Sequence, residues 1–315
     1  MMLLLLLVGR ADAIQLEARE GPCPVGVGTV KVYEKLSANA AGGFDSDLAS
    51  YSSGEQWRAY RLATCSDNLL SLYGADLLAL VPADRDRVKA ALPEALKVVV
   101  ESAATPGALP PIWERYRVAA ALYEALGKDH RFLGDLLLEA SWTARDEAVG
   151  VYVGLEGPIA ARALLDAGWE ELKKPLAPAD RKKVLYNLAR IAHRGGWGAE
   201  RAGLLASFEA AGPTTAHERE ALARFRKIAD EVEPALQDAV ITHFTAALRG
   251  ELPYAEKVRI TYQLADLLRR RGRDREAAPL YFLVLNDREA PDQLRSMAVF
   301  LAGPLLEKLE AQPRR

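Results

Sequence analysis

The chain of 315 residues has only two cysteines and four histidines, and no histidine precedes His130. Its first third therefore lacks the ligands for an ordinary four-coordinate structural zinc site. His130, His193, His217 and His243 stand apart, with no His-Glu-x-x-His pairing. There is also no glycine-rich phosphate loop between a strand and a helix, and no Gly-x-Ser-x-Gly elbow. No catalytic constellation and no cofactor site are expected. An excess of one charge is missing too: 41 Lys and Arg face 43 Asp and Glu, for a net charge of −2. That balance removes the electrostatic reason to expect nucleic acid or an anionic membrane as partner. Aromatic residues are few, and Ala, Leu, Arg and Glu dominate, which favours helix over sheet.

The apolar run "MMLLLLLV" at residues 1–8 is far too short to span a bilayer as a helix. Followed by "ADA" at Ala11–Ala13, it has the form of a cleaved secretory signal over residues 1–13. This reading puts the mature protein, starting near Ile14, in the periplasm or outside the cell. The competing reading is an apolar N-terminus packed on the body of a cytoplasmic protein.

Two textures follow. Residues 14–80 read as a small β-unit, with strand signals in "TVKVYEKL" (29–36) and "QWRAYRLAT" (56–64) around a Gly-, Ser- and Asp-rich loop. Residues 81–315 read as helical, with "TPGALPP" (105–111) as a linker and Pro93 predicting a break. Ten helices are expected, at roughly 112–126, 129–145, 158–173, 179–194, 199–211, 215–230, 233–249, 253–271, 274–287 and 290–310. Three stretches repeat a tyrosine followed ten or eleven residues later by a glycine: Tyr116 with Gly127, Tyr186 with Gly196, Tyr262 with Gly272. The tyrosines lie about two periods of a helical-hairpin repeat of about 34 residues apart. In the last copy Leu264, Ala265, Leu268, Gly272, Ala277 and Tyr281 follow the tetratricopeptide spacing. There Ala265 and Ala277 let the helices approach, Gly272 takes a left-handed turn, and Tyr281 fills the gap towards the next hairpin. The expected fold is mainly α, a tetratricopeptide-like solenoid with a small N-terminal β-unit.

The order "CPVG…SANAAGGFDSDLASY…WRAYRLATCSDN…YGADL" resembles the bacterial domain-of-unknown-function family 2225. That family joins a zinc-ribbon-like Cys-Pro-x-Cys…Cys-Pro-x-Cys-Gly unit to helical repeats. Ser37, Asn39, Gly42, Gly43, Asp45 and Asp47 match its middle segment, and Leu48 stands for its aromatic residue. Gly26 and Asn68 occupy the second ligand position of each knuckle, so the resemblance implies a degenerate ribbon and no metal. Against this framework Cys23 and Cys65 would face each other. A disulfide is the leading reading, with free thiols and a two-thiolate metal site as alternatives.

Asp45 and Asp47 form a possible polar loop site for a cation or a partner's basic group, or an Asx-rich turn that caps the β-unit. "LRRRGRDRE" (268–276) falls on a helix-to-helix turn, where its cations are expected to be solvated. The leading functional expectation is a non-catalytic scaffold or adaptor of the cell envelope, holding a segment of another protein on a concave helical face. The alternative is a metal-dependent hydrolase centred on Asp45 and Asp47, between the β-unit and the first helices.

Overall fold

Helix-forming residues fill the chain from Pro82 onward, and proline marks several starts: Pro82 opens α2 (Pro82–Ala95) and Pro178 opens α6 (Pro178–Gly195). The computed structural model describes residues 14–99, 108–150 and 155–311. Residues 1–13, read as a leader, and residues 105–107 of the linker lie outside the described residues.

The chain is mainly α. A β-hairpin of β1 (Ile14–Pro22) and β2 (Thr29–Ala38) precedes the short strands β3 (Gly43–Phe44), β4 (Ser50–Tyr51), β5 (Leu62–Thr64) and β6 (Ser71–Tyr73). After α1 (Gly74–Leu78) and α2 come α3 (Ile112–Ala125) and α4 (His130–Val149). The short strand β7 (Leu155–Glu156) then leads into α5 (Gly157–Leu172), α6, α7 (Gly198–Ala210) and α8 (Ala216–Lys227). The last helices are α9 (Glu233–Ala247), α10 (Tyr254–Arg270), α11 (Asp274–Asn286) and α12 (Asp292–Glu310). One turn of π-helix, Ile228–Val232, joins α8 to α9.

Three sequence readings are corrected. Pro93 does not stop α2, which runs two residues past it before tightening into a 3₁₀ turn at Leu96–Val98. So close to the helix end, the missing N–H interrupts little. "QWRAYRLAT" is a 3₁₀ turn at Trp57–Ala59 and becomes strand only at Leu62–Thr64. The strand at Ile14–Pro22 lies outside both expected strand signals, because its exposed face carries too many charges to show a clear alternation.

The hairpins α3–α4, α6–α7 and α10–α11 each turn on a left-handed glycine: Gly127 at φ 78°, Gly196 at 73° and Gly272 at 70°. At all three the next residue's N–H reaches back to close the helix, as in Arg273 N–H to the Leu268 carbonyl at 2.8 Å. Ala265 and Ala277 are fully buried where α10 meets α11, with Leu264 and Leu268 beside them. The Tyr281 ring packs edge-on against Tyr262 of its own hairpin, at 5.9 Å.

Two features depart from a stack in which each hairpin meets only its neighbours. The most extensive helix–helix contact is between α4 and α9, far apart in sequence, and α5–α8 gather around a separate apolar cluster. The β-unit has no core of its own. Cys23, Val30, Leu62, Leu70 and Leu72 belong to the same cluster as α2–α4 and α9–α12.

Cys23 and Cys65 form a disulfide, with Cα atoms 5.6 Å apart. Asn68, where a second knuckle thiolate would stand, instead donates its amide to the Val25 carbonyl and accepts the Leu70 N–H. The bond closes a loop between positions 42 residues apart, which the chain-entropy account converts to about 4 kcal/mol. Non-reducing mass spectrometry should find no alkylatable thiol, and reduction should lower stability by that order. Two free thiols in freshly purified protein would contradict the pairing. In the last hairpin, Ala277→Leu should cost about 1–3 kcal/mol by overpacking. A denaturation curve unchanged by that substitution would mean that the α10–α11 contact is misassigned.

Candidate functional site

The Gly-Gly-Phe-Asp-Ser-Asp-Leu loop turns within a few residues, and its backbone explains its glycines. Gly43, at φ 78°, pairs in parallel with Leu155, and a Cβ there would lie 2.2 Å from the Leu155 carbonyl oxygen. Leu48 is held in the left-handed region at φ 70° while its N–H bonds the Asp45 carbonyl at 3.0 Å. Strain of this kind persists where the surroundings over-determine the conformation. Here the surroundings are arginines from three helices.

Arg145 of α4 is wholly buried. Its Nη1 donates to Asp45 Oδ2 at 2.8 Å, and its Nη2 to Asp47 Oδ2 and Glu233 Oε1, both at 2.6 Å. Arg194 of α6 donates to Asp45 Oδ1 at 2.6 Å and lies over the Tyr51 ring. Tyr51 O–H and Trp142 Nε1–H complete the two aspartates, at 2.7 and 3.1 Å. Between them, Ser46 donates to Asp266 at 2.9 Å and accepts from Arg270 at 2.6 Å, while Tyr262 O–H takes its carbonyl at 2.8 Å. The side chains of Arg269 and Arg270 are only 9 and 4 % exposed, which corrects the expectation of solvated cations for these two, while Arg273 and Arg275 of the same turn are exposed. Besides holding Asp266, Arg269 and Arg270 donate to carbonyls at the end of α6, including Gly195 at 2.8 Å, where a helix terminus favours cations. Asp146 with Arg58, at 2.6 Å, extends the network towards the β-unit. Arg58, Arg145, Arg194, Arg269 and Arg270 thus balance Asp45, Asp47, Asp146, Glu233 and Asp266.

Burial alone would raise the carboxyl pKa values. For Asp47 the charges of Arg145 and Arg270 overcome it and hold the group well below the usual carboxylate range. For Glu233, Arg145 and then His193 do the same, bringing it to about 2. Burial lowers the His193 pKa, partly offset by Glu233. His193 Nε2 lies 2.7 Å from Glu233 Oε2, and Arg201 donates to its Nδ1 at 3.4 Å, so Nε2 carries the proton.

The structure therefore joins Asp45 and Asp47 in one site but leaves no oxygen of either open to an incoming cation. Sequence reasoning treated the histidines as isolated. In the fold His193 pairs with Glu233, and His130 with His243. Arg145 was missed, although it continues the buried stripe of Gly134, Leu138 and Ser141 on α4, an unusual place for a cation.

Two openings flank the network. A polar cavity of about 200 Å³ is lined by His193, Trp197, Arg201, Glu233, Gln237 and Arg270, with the π-turn as one wall. On the other side, two cavities of about 610 and 270 Å³ share Lys35 and Trp57 as lining residues and together make up an aromatic groove along β2, α1 and α4. Tyr33, Trp57, Tyr73 and Trp142 line this groove. Glu139 lies along it, bonded to Tyr73 and Tyr116 at 3.2 and 2.9 Å and paired with Arg61.

No family model, curated protein or solved structure matches the chain.

Removing the guanidinium would strand buried carboxylates, so Arg145→Met should cost about 3–5 kcal/mol in urea denaturation. A loss under about 1 kcal/mol would contradict the arrangement. Because the folded-state pKa of Glu233 is depressed from 4.5 to about 2, its stabilisation is full above pH 4.5 and is lost as the pH falls towards 2. Glu233→Gln should flatten the acid limb of the stability curve in that window, and an unchanged slope would contradict the pairing.

Proposed function

We propose that the chain is an exported, non-catalytic adaptor that binds a segment of another protein. In this reading it is a divergent relative of domain-of-unknown-function family 2225, with a tetratricopeptide-like solenoid behind a degenerate zinc ribbon. The disulfide and the signal-like leader support an oxidising compartment, with the periplasm as the proposed location. Among the described residues no helix is long and apolar enough to cross a membrane.

Helices α4, α6 and α10 already hold the chain's own loop, 42–51, as an internal ligand. The partner segment is therefore assigned to the aromatic groove. The observation that carries this assignment is the aromatic lining of the two adjoining cavities by Tyr33, Trp57, Tyr73 and Trp142. Aromatic rings give large contact area at low entropic cost, and Lys35, over the Trp57 ring, suits an acidic side chain in the segment. A hydrolase centred on Asp45 and Asp47 has less support, because both carboxylates are buried and saturated by donors.

A photo-crosslinking residue placed at position 57 should give one discrete adduct in the envelope fraction. The same residue at exposed Leu283 of α11 should give none. Trp57→Ala should abolish co-purification of that partner without changing the melting curve. Equal adducts at both positions, or none at position 57, would overturn the reading.

A further inference from the structure

At the opposite end of α4 from Arg145, α4 and α9 approach closely. Gly134 makes this possible: a Cβ there would lie 2.5 Å from the Phe244 ring. One turn earlier on α4 stands His130, and the residue before Phe244 on α9 is His243. The helix approach that presses Phe244 onto Gly134 thus brings two imidazoles together across 113 positions of sequence, with Nδ1 atoms 3.0 Å apart and ring centroids at 5.1 Å. His130 is exposed and His243 half-buried, so the pair is open to solutes.

We propose that His130 and His243 chelate a borderline transition-metal cation, of which zinc is the prototype, between α4 and α9. Two imidazole nitrogens at about 2.0–2.1 Å from a tetrahedral zinc are about 3.3 Å apart. The two Nδ1 atoms need to separate by a few tenths of an ångström, and each ring to turn until its lone pair meets the ion instead of the other nitrogen, a motion within side-chain freedom. Both rings must be neutral to bind. Burial and the neighbouring His130 lower the pKa of His243, while the charge of Glu124 on α3 acts the other way. Among the described residues no group of three or more His, Cys, Asp or Glu side chains is arranged around a metal. The pair supplies two ligands and water the rest, giving an exchangeable site unlike the closed structural type. The cysteines do not compete, since both are in the disulfide. The ion would pin α4 to α9, the two helices that carry Arg145 and Glu233.

The test is calorimetric titration of the full, disulfide-bonded chain with zinc chloride after chelator treatment. One zinc per chain is expected, with affinity at least tenfold weaker in His130→Gln and in His243→Gln and unchanged in His217→Gln. His130 is on the surface, so its variant tests the proposal even if the half-buried His243 disturbs folding. Side-chain nitrogen NMR should show zinc shifting Nδ1 of His130 and His243 together while His193 stays still. Absence of zinc uptake, or equal uptake by wild type and His130→Gln, would reduce the pair to a hydrogen bond and overturn the proposal.

Discussion

Arg145 has no contact with water, and the fold is arranged around that fact. Desolvating a guanidinium costs several kcal/mol, which its partners offset only if the geometry is good and every remaining donor is satisfied. Asp45, Asp47 and Glu233 meet that condition, and each is in turn held by a further donor: Arg194 and Tyr51, Trp142, or His193. These groups come from a loop near the N-terminus and from helices 95 or more residues away. The network therefore does what an apolar core cannot do. It accepts one register of the loop and one relative placement of α4, α6, α9 and α10, because any slip leaves a buried charge unpaired.

This constraint accounts for features that local propensity does not. Leu48 tolerates a left-handed backbone because Asp45 and Asp47, on either side of Ser46, are fixed by arginines. Arg269 and Arg270 are withdrawn from solvent because Asp266 and the carbonyls at the end of α6 need donors. The β-unit has little core of its own and is held by two different means, the disulfide at Cys23 and Cys65 and the aspartate loop. Between them its surface remains free to form the aromatic groove with α1 and α4.

The helices were readable in the sequence because their apolar period and glycine stops are local. Gly127, Gly196 and Gly272 mark their turns without knowledge of anything distant. The short strands were harder. The aromatic residues of "QWRAYRLAT" suggest a strand, yet a 3₁₀ turn suits a segment whose Arg58 must reach Asp146. The site was only half legible. Asp45 and Asp47 stood out by pattern, but their partners Arg145, Arg194 and Arg270 are ordinary arginines until the helices assemble. The pairs His193 with Glu233 and His130 with His243 likewise depend on the long-range packing of α9, which no local signal announces.

The central claim is that the Asp-Ser-Asp loop sets the arrangement of the helices and is not merely covered by them. Hydrogen exchange on an Asp45→Asn, Asp47→Asn double variant tests it most directly. The account predicts that amides of α4, α6 and α10 lose protection together with those of residues 42–51, while α7 and α8 keep theirs. Loss confined to residues 42–51, with the helices as protected as in the wild type, would contradict it.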